Sequence, residues 1–589
     1  MDKMVASSTI SAWKALPYDW RFDLSDIVGG GVEGASGNIS FINQKPEGQL
    51  PYMILELEKL ANNSKNGKVT IITHSNGGLV AKALLKKLAE MKEGGESDLI
   101  DKIDRLIMVA APQLGTPQAI TSMLHGDGQE LLSEFILNKE VAREFAENML
   151  GAYNLLPSEK YVGMMADPII KFHPSLSQVN DWYTRYGYGL KNYGEFRDFV
   201  LGGGGRVKPD PANINEPNVL NASLLGVSEG NHSTLDDWQI PVSIEVTQIA
   251  GWGLDTVSGV EYSAESECVP VVGVTQCALD YVLKRKPILT SEGDETVVTQ
   301  SATAVDGKTY YLDIEKYNEA FKDNSSHAYI FEIQPLEDLL KNIIIENSTT
   351  TLPVHITIEK PEPKDKKLRL SVHSPVSIDI YDNLGNHTGL IPNPDPNSDL
   401  ELVEENIPNS YYMNFGEGKY VGFGSGGQNR VELNGTGSGT FTLKVGEYLG
   451  DKEATSTAFV DIPVTSAMKG ELNIENLDTL PQLKIDVEGD GTFDFEIKPS
   501  EEFDPILFLE IMKKTVMTFD LKKSVEKNLV NRIDNLIKSI KKGKIKQVEK
   551  KIKGFIRNIE SKKKHNKKID DEEKQAILNM LNQLLNNIK

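Results

Sequence analysis

Three hydrophobic periodicities succeed one another along the chain. Up to about residue 345, short continuous apolar runs alternate with segments of helical period. Val69-Thr70-Ile71-Ile72 precedes a helical stretch, Leu79 to Met91, with Leu84, Leu85 and Leu88 on one face. Arg105-Leu106-Ile107-Met108-Val109-Ala110-Ala111 is apolar on both faces, and Ile244 to Ala250 forms a further run. Runs of this kind, spaced by helices, predict parallel strands covered on both sides. From Gln118 to about Pro241 the pattern is helical but irregular, with a break at Gly202 to Gly205. This stretch is expected to be a helical cap inserted between core strands, packed through faces such as Leu131, Leu132, Phe135 and Ile136.

From about Ile356 the period falls to two. Val376, Ile378 and Ile380 alternate, as do Phe441, Leu443 and Val445, and turns such as Asn383-Leu384-Gly385-Asn386 and Asn434-Gly435-Thr436-Gly437 separate such runs. Short strands at this spacing predict a β-sandwich, and Lys360-Pro361-Glu362-Pro363-Lys364 suits a boundary. From about Leu507 the helical period returns. Leu529, Ile533, Leu536, Ile537 and Ile540 make one apolar face; Ile545, Val548, Ile552, Phe555 and Ile559 a second; Leu578, Leu581, Leu584, Leu585 and Ile588 a third. Three amphipathic helices predict a small antiparallel bundle. The expected architecture is multidomain: an α/β domain over 1–348 with its cap at about 118–241, an all-β sandwich over 356–500, and a basic helical bundle over 507–589.

Composition narrows the function. The chain has 589 residues, 39% hydrophobic and 25% charged, as an ordinary globular protein of several domains has. Its net charge of −22 is uneven: residues 521–589 carry 20 Lys/Arg against 8 Asp/Glu, the remainder 43 against 77. An acidic body argues against nucleic-acid binding by the main domains, and the basic tail reads as a solvated helical face. No run of 18 apolar residues predicts a transmembrane span. The start, MDKMVASSTISAWKAL, lacks the apolar core of a signal peptide. Cys268 and Cys277 lack metal-ligand spacing; they could bridge a hairpin or remain two free thiols.

The candidate chemistry begins at Ser75, at the apex of a glycine-rich turn between the Val69 run and the Leu79 helix. This is the strand–nucleophile–helix pattern of α/β-hydrolases, with Thr73 in place of the first glycine of G-x-S-x-G. A serine hydroxyl needs a histidine to take its proton, and that histidine needs a carboxylate to fix its tautomer. In such folds the order is serine, acid, histidine, and Asp294 and His327 supply that order. His232 lies upstream of Asp294, and His74, next to the serine, reads as a packing residue. Asp255 and Glu295 compete for the acid role. The backbone N–H of Asn76 would be one oxyanion donor.

Several segments resemble one family. Pro17-Tyr18-Asp19-Trp20-Arg21 resembles a pentapeptide of lecithin:cholesterol acyltransferase and phospholipid:diacylglycerol acyltransferase. Ala111-Pro112-Gln113-Leu114-Gly115-Thr116, Ala152-Tyr153-Asn154-Leu155-Leu156-Pro157-Ser158 and Gly251-Trp252-Gly253-Leu254-Asp255-Thr256 are similar to further segments of the same enzymes. Gly293-Asp294-Glu295-Thr296-Val297 resembles their acid loop, and Ser326-His327 falls where their histidine does. The resemblance covers about residues 16–345. It implies a triad of Ser75, Asp294 and His327, an acyl-serine intermediate, no cofactor for catalysis, and a lipid or other carboxylic ester as substrate. It also implies a strand and an oxyanion loop before Pro17, where only 16 residues stand, so this polypeptide alone is expected to be truncated and weak in turnover. The appended modules suggest a secreted or cell-surface enzyme, and the rival reading is a surface binding protein with an inactive hydrolase domain. Asp486-Val487-Glu488-Gly489-Asp490-Gly491-Thr492-Phe493-Asp494 spaces its oxygens as a calcium loop does, but Ile497 stands where a bidentate Glu belongs. It reads either as a structural calcium site of Asp486, Glu488, Asp490 and Asp494 or as an acidic hairpin turn.

Overall fold

The computed structural model describes residues 1–33, 39–41, 49–128, 135–136, 139–270, 277–346, 351–373, 375–395, 401–560 and 569–588. Its N-terminal part is built on a five-stranded sheet in the order Ile356–Thr357, Lys308–Asp313, Glu245–Trp252, Ile103–Val109, Val69–His74. Every pairing is parallel except the first. Successive side chains of a strand point to opposite faces, and Ile103–Val109 shows why both need cover. Leu106 and Met108 pack with the helices Tyr52–Asn63 and Gly77–Glu93, while Ile107 and Val109 pack with the helix Gln334–Glu346. Val69–His74, by contrast, is only half-buried along its length and is the last strand on its side among the described residues.

Two elements shift an expected boundary. Ile356–Thr357 pairs antiparallel with Tyr311 and Leu312, so it closes the α/β sheet rather than opening the sandwich. A two-residue strand is too short to carry a period of its own. Phe135–Ile136, expected on a helix, is a two-residue strand paired with Glu401–Leu402 at the edge of a sandwich sheet. Leu131 and Leu132 lie outside the described residues.

Helices between Gln118 and Leu235 gather around an aromatic cluster that includes Phe172, Trp182, Tyr186 and Phe199. A long antiparallel hairpin, Thr256–Pro270 with Cys277–Thr290, sends Tyr262 into this cluster. Its backbone register sets Cys268 opposite Leu279 and Cys277 opposite Pro270. Sequence periodicity did not separate this hairpin from the core strands, because Val257 and Val260 face the cap as core residues do.

The sandwich has a five-stranded and an eight-stranded sheet, antiparallel throughout, closing over Leu370, Ile378, Val421, Leu433, Leu443 and Phe459 among others. It is tied to the α/β part by buried charge: both Asp255 oxygens accept from Arg369 at 2.7 Å. Asp127 of the cap accepts from Arg285 of the hairpin at 2.6 Å and from the Gly416 N–H of the sandwich at 3.2 Å.

The C-terminal region holds four described helices, Pro505–Thr518, Lys523–Ile540, Ile545–Glu560 and Asp571–Asn587, rather than three. Pro505–Thr518 lacks a single apolar stripe because it buries two faces. Phe508, Leu509, Met512 and Val516 enter the bundle, and Ile511 enters the sandwich core. Ile545, counted on an apolar face, is exposed at the first position of its helix. No helix among the described residues is long and apolar enough to cross a membrane.

Candidate active site

The strand Val69–His74 turns into the helix Gly77–Glu93 through Ser75, whose φ of 52° lies in the left-handed region. A non-glycine residue there is strained, and the strain lifts the side chain off the sheet. The Ser75 N–H donates to the Val109 carbonyl at 3.0 Å, pinning the apex to the neighbouring strand. Tight packing explains Gly78 but not Gly77. A Cβ on Gly78 would lie 2.4 Å from the Ala111 Cβ, and one on Gly77 would lie 3.4 Å from the Thr73 Cβ.

His327 opens a short 3-10 turn, His327–Glu332. Its Nε2 is 2.9 Å from the Ser75 Oγ, and its Nδ1 is 2.9 Å from the Asp294 Oδ2. The other Asp294 oxygen, Oδ1, accepts from the backbone N–H groups of Thr296 at 3.2 Å and Val297 at 2.7 Å. With both oxygens committed, the fully buried carboxylate has a fixed orientation. Gly251, near the end of the strand Glu245–Trp252, makes room for this acid: a Cβ there would lie 2.5 Å from the Asp294 Cβ.

The competing residues lie elsewhere. Burial pushes the Asp255 carboxyl up, but Arg369 and Lys367 outweigh it and hold it below the ordinary range. Glu295 has a φ of 81°, and its N–H donates to the Thr256 Oγ1 at 2.8 Å. His232 forms a second buried pair, its Nδ1 2.9 Å from the Asp236 Oδ1 and its Nε2 3.0 Å from the Asn154 carbonyl. His74 is not simply a packing residue. Its Nε2 lies 3.0 Å from the His327 carbonyl, and the two rings are 4.8 Å apart.

The segment Pro17–Arg21 joins the elbow to the cap. Tyr18 lies beside the Asn76 side chain, and burial, partly offset by that neighbour, pushes its hydroxyl up to about 12. Asp19 and Arg21 pair with each other, with Arg21 Nε donating to Asp19 Oδ1 at 2.8 Å. The Arg21 carbonyl accepts from the Gly151 N–H of the cap at 3.2 Å. The signal for this role was the rare aromatic composition of the pentapeptide, not its periodicity.

The acidic loop near the sandwich end spends its carboxylates on its own turn. Asp486 Oδ1 accepts from the N–H groups of Glu488, Gly489 and Asp490, and Oδ2 from that of Gly491. Lys514 bridges Glu488 at 2.7 Å and Asp494 at 3.1 Å. An ammonium group thus stands between two of the carboxylates a calcium ion would need. Among the described residues no group of three or more His, Cys, Asp or Glu is arranged to hold a metal.

The family model of lecithin:cholesterol acyltransferase matches residues 8–308, just over half of the chain, and a FIMAH domain model matches residues 513–586. No curated protein matches. Among solved structures the chain is similar to a Tle4–Tli4 complex, at 17% identity over 43% of this chain and 54% of that one, with a TM-score of 0.26. It thus spans about half the length of that chain. It is also similar to a Bacillus licheniformis lipase, BlEst2, in propeptide form, at 9% identity over 76% of this chain and 81% of that one, with a TM-score of 0.23. The matched family region contains the Ser75 elbow and Asp294 and ends shortly before His327, and on that match the chain belongs to the lecithin:cholesterol acyltransferase family.

Proposed function

We propose that this protein is a serine-dependent carboxylic ester hydrolase or acyltransferase that acts on lipid esters through an acyl-serine intermediate. The observation that carries the reading is the continuous relay from Ser75 Oγ through His327 to Asp294, with 2.9 Å at each step. The family match supports a lipid ester as substrate. Ser75 Oγ attacks the ester carbonyl while His327 Nε2 takes its proton. Asp294 keeps the Nδ1–H tautomer in place and stabilises the imidazolium that forms. The Asn76 N–H, next along the chain, donates to the developing oxyanion; one such donor is worth about 10²- to 10³-fold in turnover. His327 then returns the proton to the leaving alcohol. Attack by water on the acyl-serine gives hydrolysis, and attack by an alcohol gives acyl transfer.

A fluorophosphonate probe followed by peptide mass mapping tests this. Modification of the wild-type chain at Ser75, lost in Ser75→Ala together with p-nitrophenyl ester turnover, is the expected result. An unlabelled wild-type chain, or a Ser75→Ala variant that turns over at the same rate, would overturn it.

A further inference from the structure

His327 stands on a turn with no side-chain cap of its own, so its position is set by contacts from other elements. Its N–H donates to the Asp294 carbonyl at 3.0 Å. Its own carbonyl faces His74 Nε2 at 3.0 Å. A carbonyl only accepts, so the bond requires the His74 proton on Nε2. His74 is the last residue of the elbow strand, in register with Val109, and it directly precedes the serine. Its ring lies 4.8 Å from that of His327 and 5.6 Å, edge-on, from that of Phe331, four residues further along the same turn.

We infer that His74 is a positioning residue for the base: its Nε2–H clamps the His327 backbone to the strand that carries the nucleophile. This rests on the Ser75–His327–Asp294 reading. The consequence is geometric. The Asp294 segment fixes one side of the His327 peptide and ring. His74 fixes the other side by reference to Ser75 itself, so nucleophile and base move as one body. Burial and the neighbouring His327 push the His74 imidazole down to about 4, which leaves it neutral at ordinary pH. A neutral donor holds the carbonyl without setting a second cation beside the imidazolium formed in the reaction.

The test uses His74→Phe, which keeps a ring between His327 and Phe331 but has no donor, and His74→Gln, which offers an amide N–H at similar reach. The full-length chain is used throughout, with His74→Ala in place of the phenylalanine variant should that one fail to fold. Three quantities are read: kcat and KM on a p-nitrophenyl ester, the rate of fluorophosphonate inactivation, and the His327–Ser75 separation in a crystal structure. Losing a buried donor of this kind is expected to lower kcat and the inactivation rate about 10- to 100-fold with little change in KM. Glutamine should recover most of the loss, and the His327 ring should be displaced in the variant without a donor. Wild-type rates in His74→Phe, or no recovery in a folded His74→Gln, would overturn the inference. An unlabelled wild-type chain would instead sink the triad reading. In that case the crystallographic position of His327 in His74→Phe still decides the clamp: displaced supports it, unmoved refutes it.

Discussion

Two buried histidine–aspartate pairs lie in the same α/β domain with the same 2.9 Å separation between Nδ1 and carboxylate oxygen. They are His327 with Asp294 and His232 with Asp236. What separates them is the third partner. The His327 Nε2 meets a serine hydroxyl, which can give up a proton, whereas the His232 Nε2 meets the Asn154 carbonyl, which cannot. The second pair therefore holds the helix Ala222–Leu235 against the cap segment that carries Asn154, with no proton to take. A carboxylate–imidazole pair is thus no sign of catalysis in itself; a strained elbow that brings a hydroxyl to the free nitrogen is what makes the difference.

Removing the third partner should give the largest contrast. Ser75→Ala is expected to lower ester turnover by about 10³- to 10⁶-fold with the fold intact. His232→Gln should keep turnover within about 3-fold while lowering the melting temperature, because it leaves a buried partner unsatisfied. If His232→Gln matched the loss of Ser75→Ala without melting earlier, the two pairs would not be functionally distinct. The acids sharpen the same contrast. In Asp294→Asn the amide oxygen can still accept from Thr296 and Val297, which turns the NH₂ toward His327 Nδ1 and favours the wrong tautomer. A loss of about 10⁴-fold in kcat is expected. Asp236→Asn should alter the melting temperature and leave kcat within a few-fold. Steady-state kinetics beside thermal melts of the four variants reads all of this.

The Ser75–His327–Asp294 arrangement was legible because glycines behind the serine mark the elbow, while chain order and the resemblance of their segments to one family placed Asp294 and His327. Strand–helix alternation and the later switch to period two were legible because a buried face imposes its period locally. What escaped the sequence depends on distant partners. Nothing near Ile356–Thr357 says that it pairs with Tyr311, and nothing near Phe135 says that it borders the sandwich. The helix Pro505–Thr518 lost its stripe by serving two cores at once. His74 looked like packing because the carbonyl it bonds lies 253 residues away.

A smaller effect tests whether Asp255, the other strand-end carboxylate, belongs to chemistry or to assembly. Its Arg369 partner comes from the sandwich, so Arg369→Met leaves a buried carboxylate with Lys367 4.0 Å away. Breaking a buried pair in this way costs about 3–5 kcal/mol. The Asp255 pKa is depressed in the folded state, so its contribution is present above the ordinary carboxylate range and fades as pH falls through the folded value. The variant should melt well below wild type at pH 7, with the gap narrowing in acid, while fluorophosphonate labelling of the folded protein is unchanged. Loss of labelling below the melting transition would instead tie the sandwich to the site.

The smallest predicted effect returns to the His232–Asp236 pair. Lys82, on the elbow helix, is fully buried, and its Nζ has no hydrogen-bond partner among the described residues. Burial pushes its ammonium down to about 8, only partly offset by the charge of Asp236, the same acid that holds His232. The unfolded chain binds the proton more tightly than the folded one, so this group lowers stability fully below pH 8 and the cost disappears as pH rises toward 10.5. At 1.36 kcal/mol per pKa unit the cost is at most roughly 3 kcal/mol. Lys82→Met keeps the length of the side chain and removes the charge, while Asp236 keeps its bond to His232. The variant should therefore melt above wild type at pH 7, and the two curves should meet above pH 10. A lower melting temperature at pH 7 would mean that Asp236 depends on Lys82 as much as on His232. The second pair would then be a three-membered charge cluster, and its likeness to the triad would end at one distance.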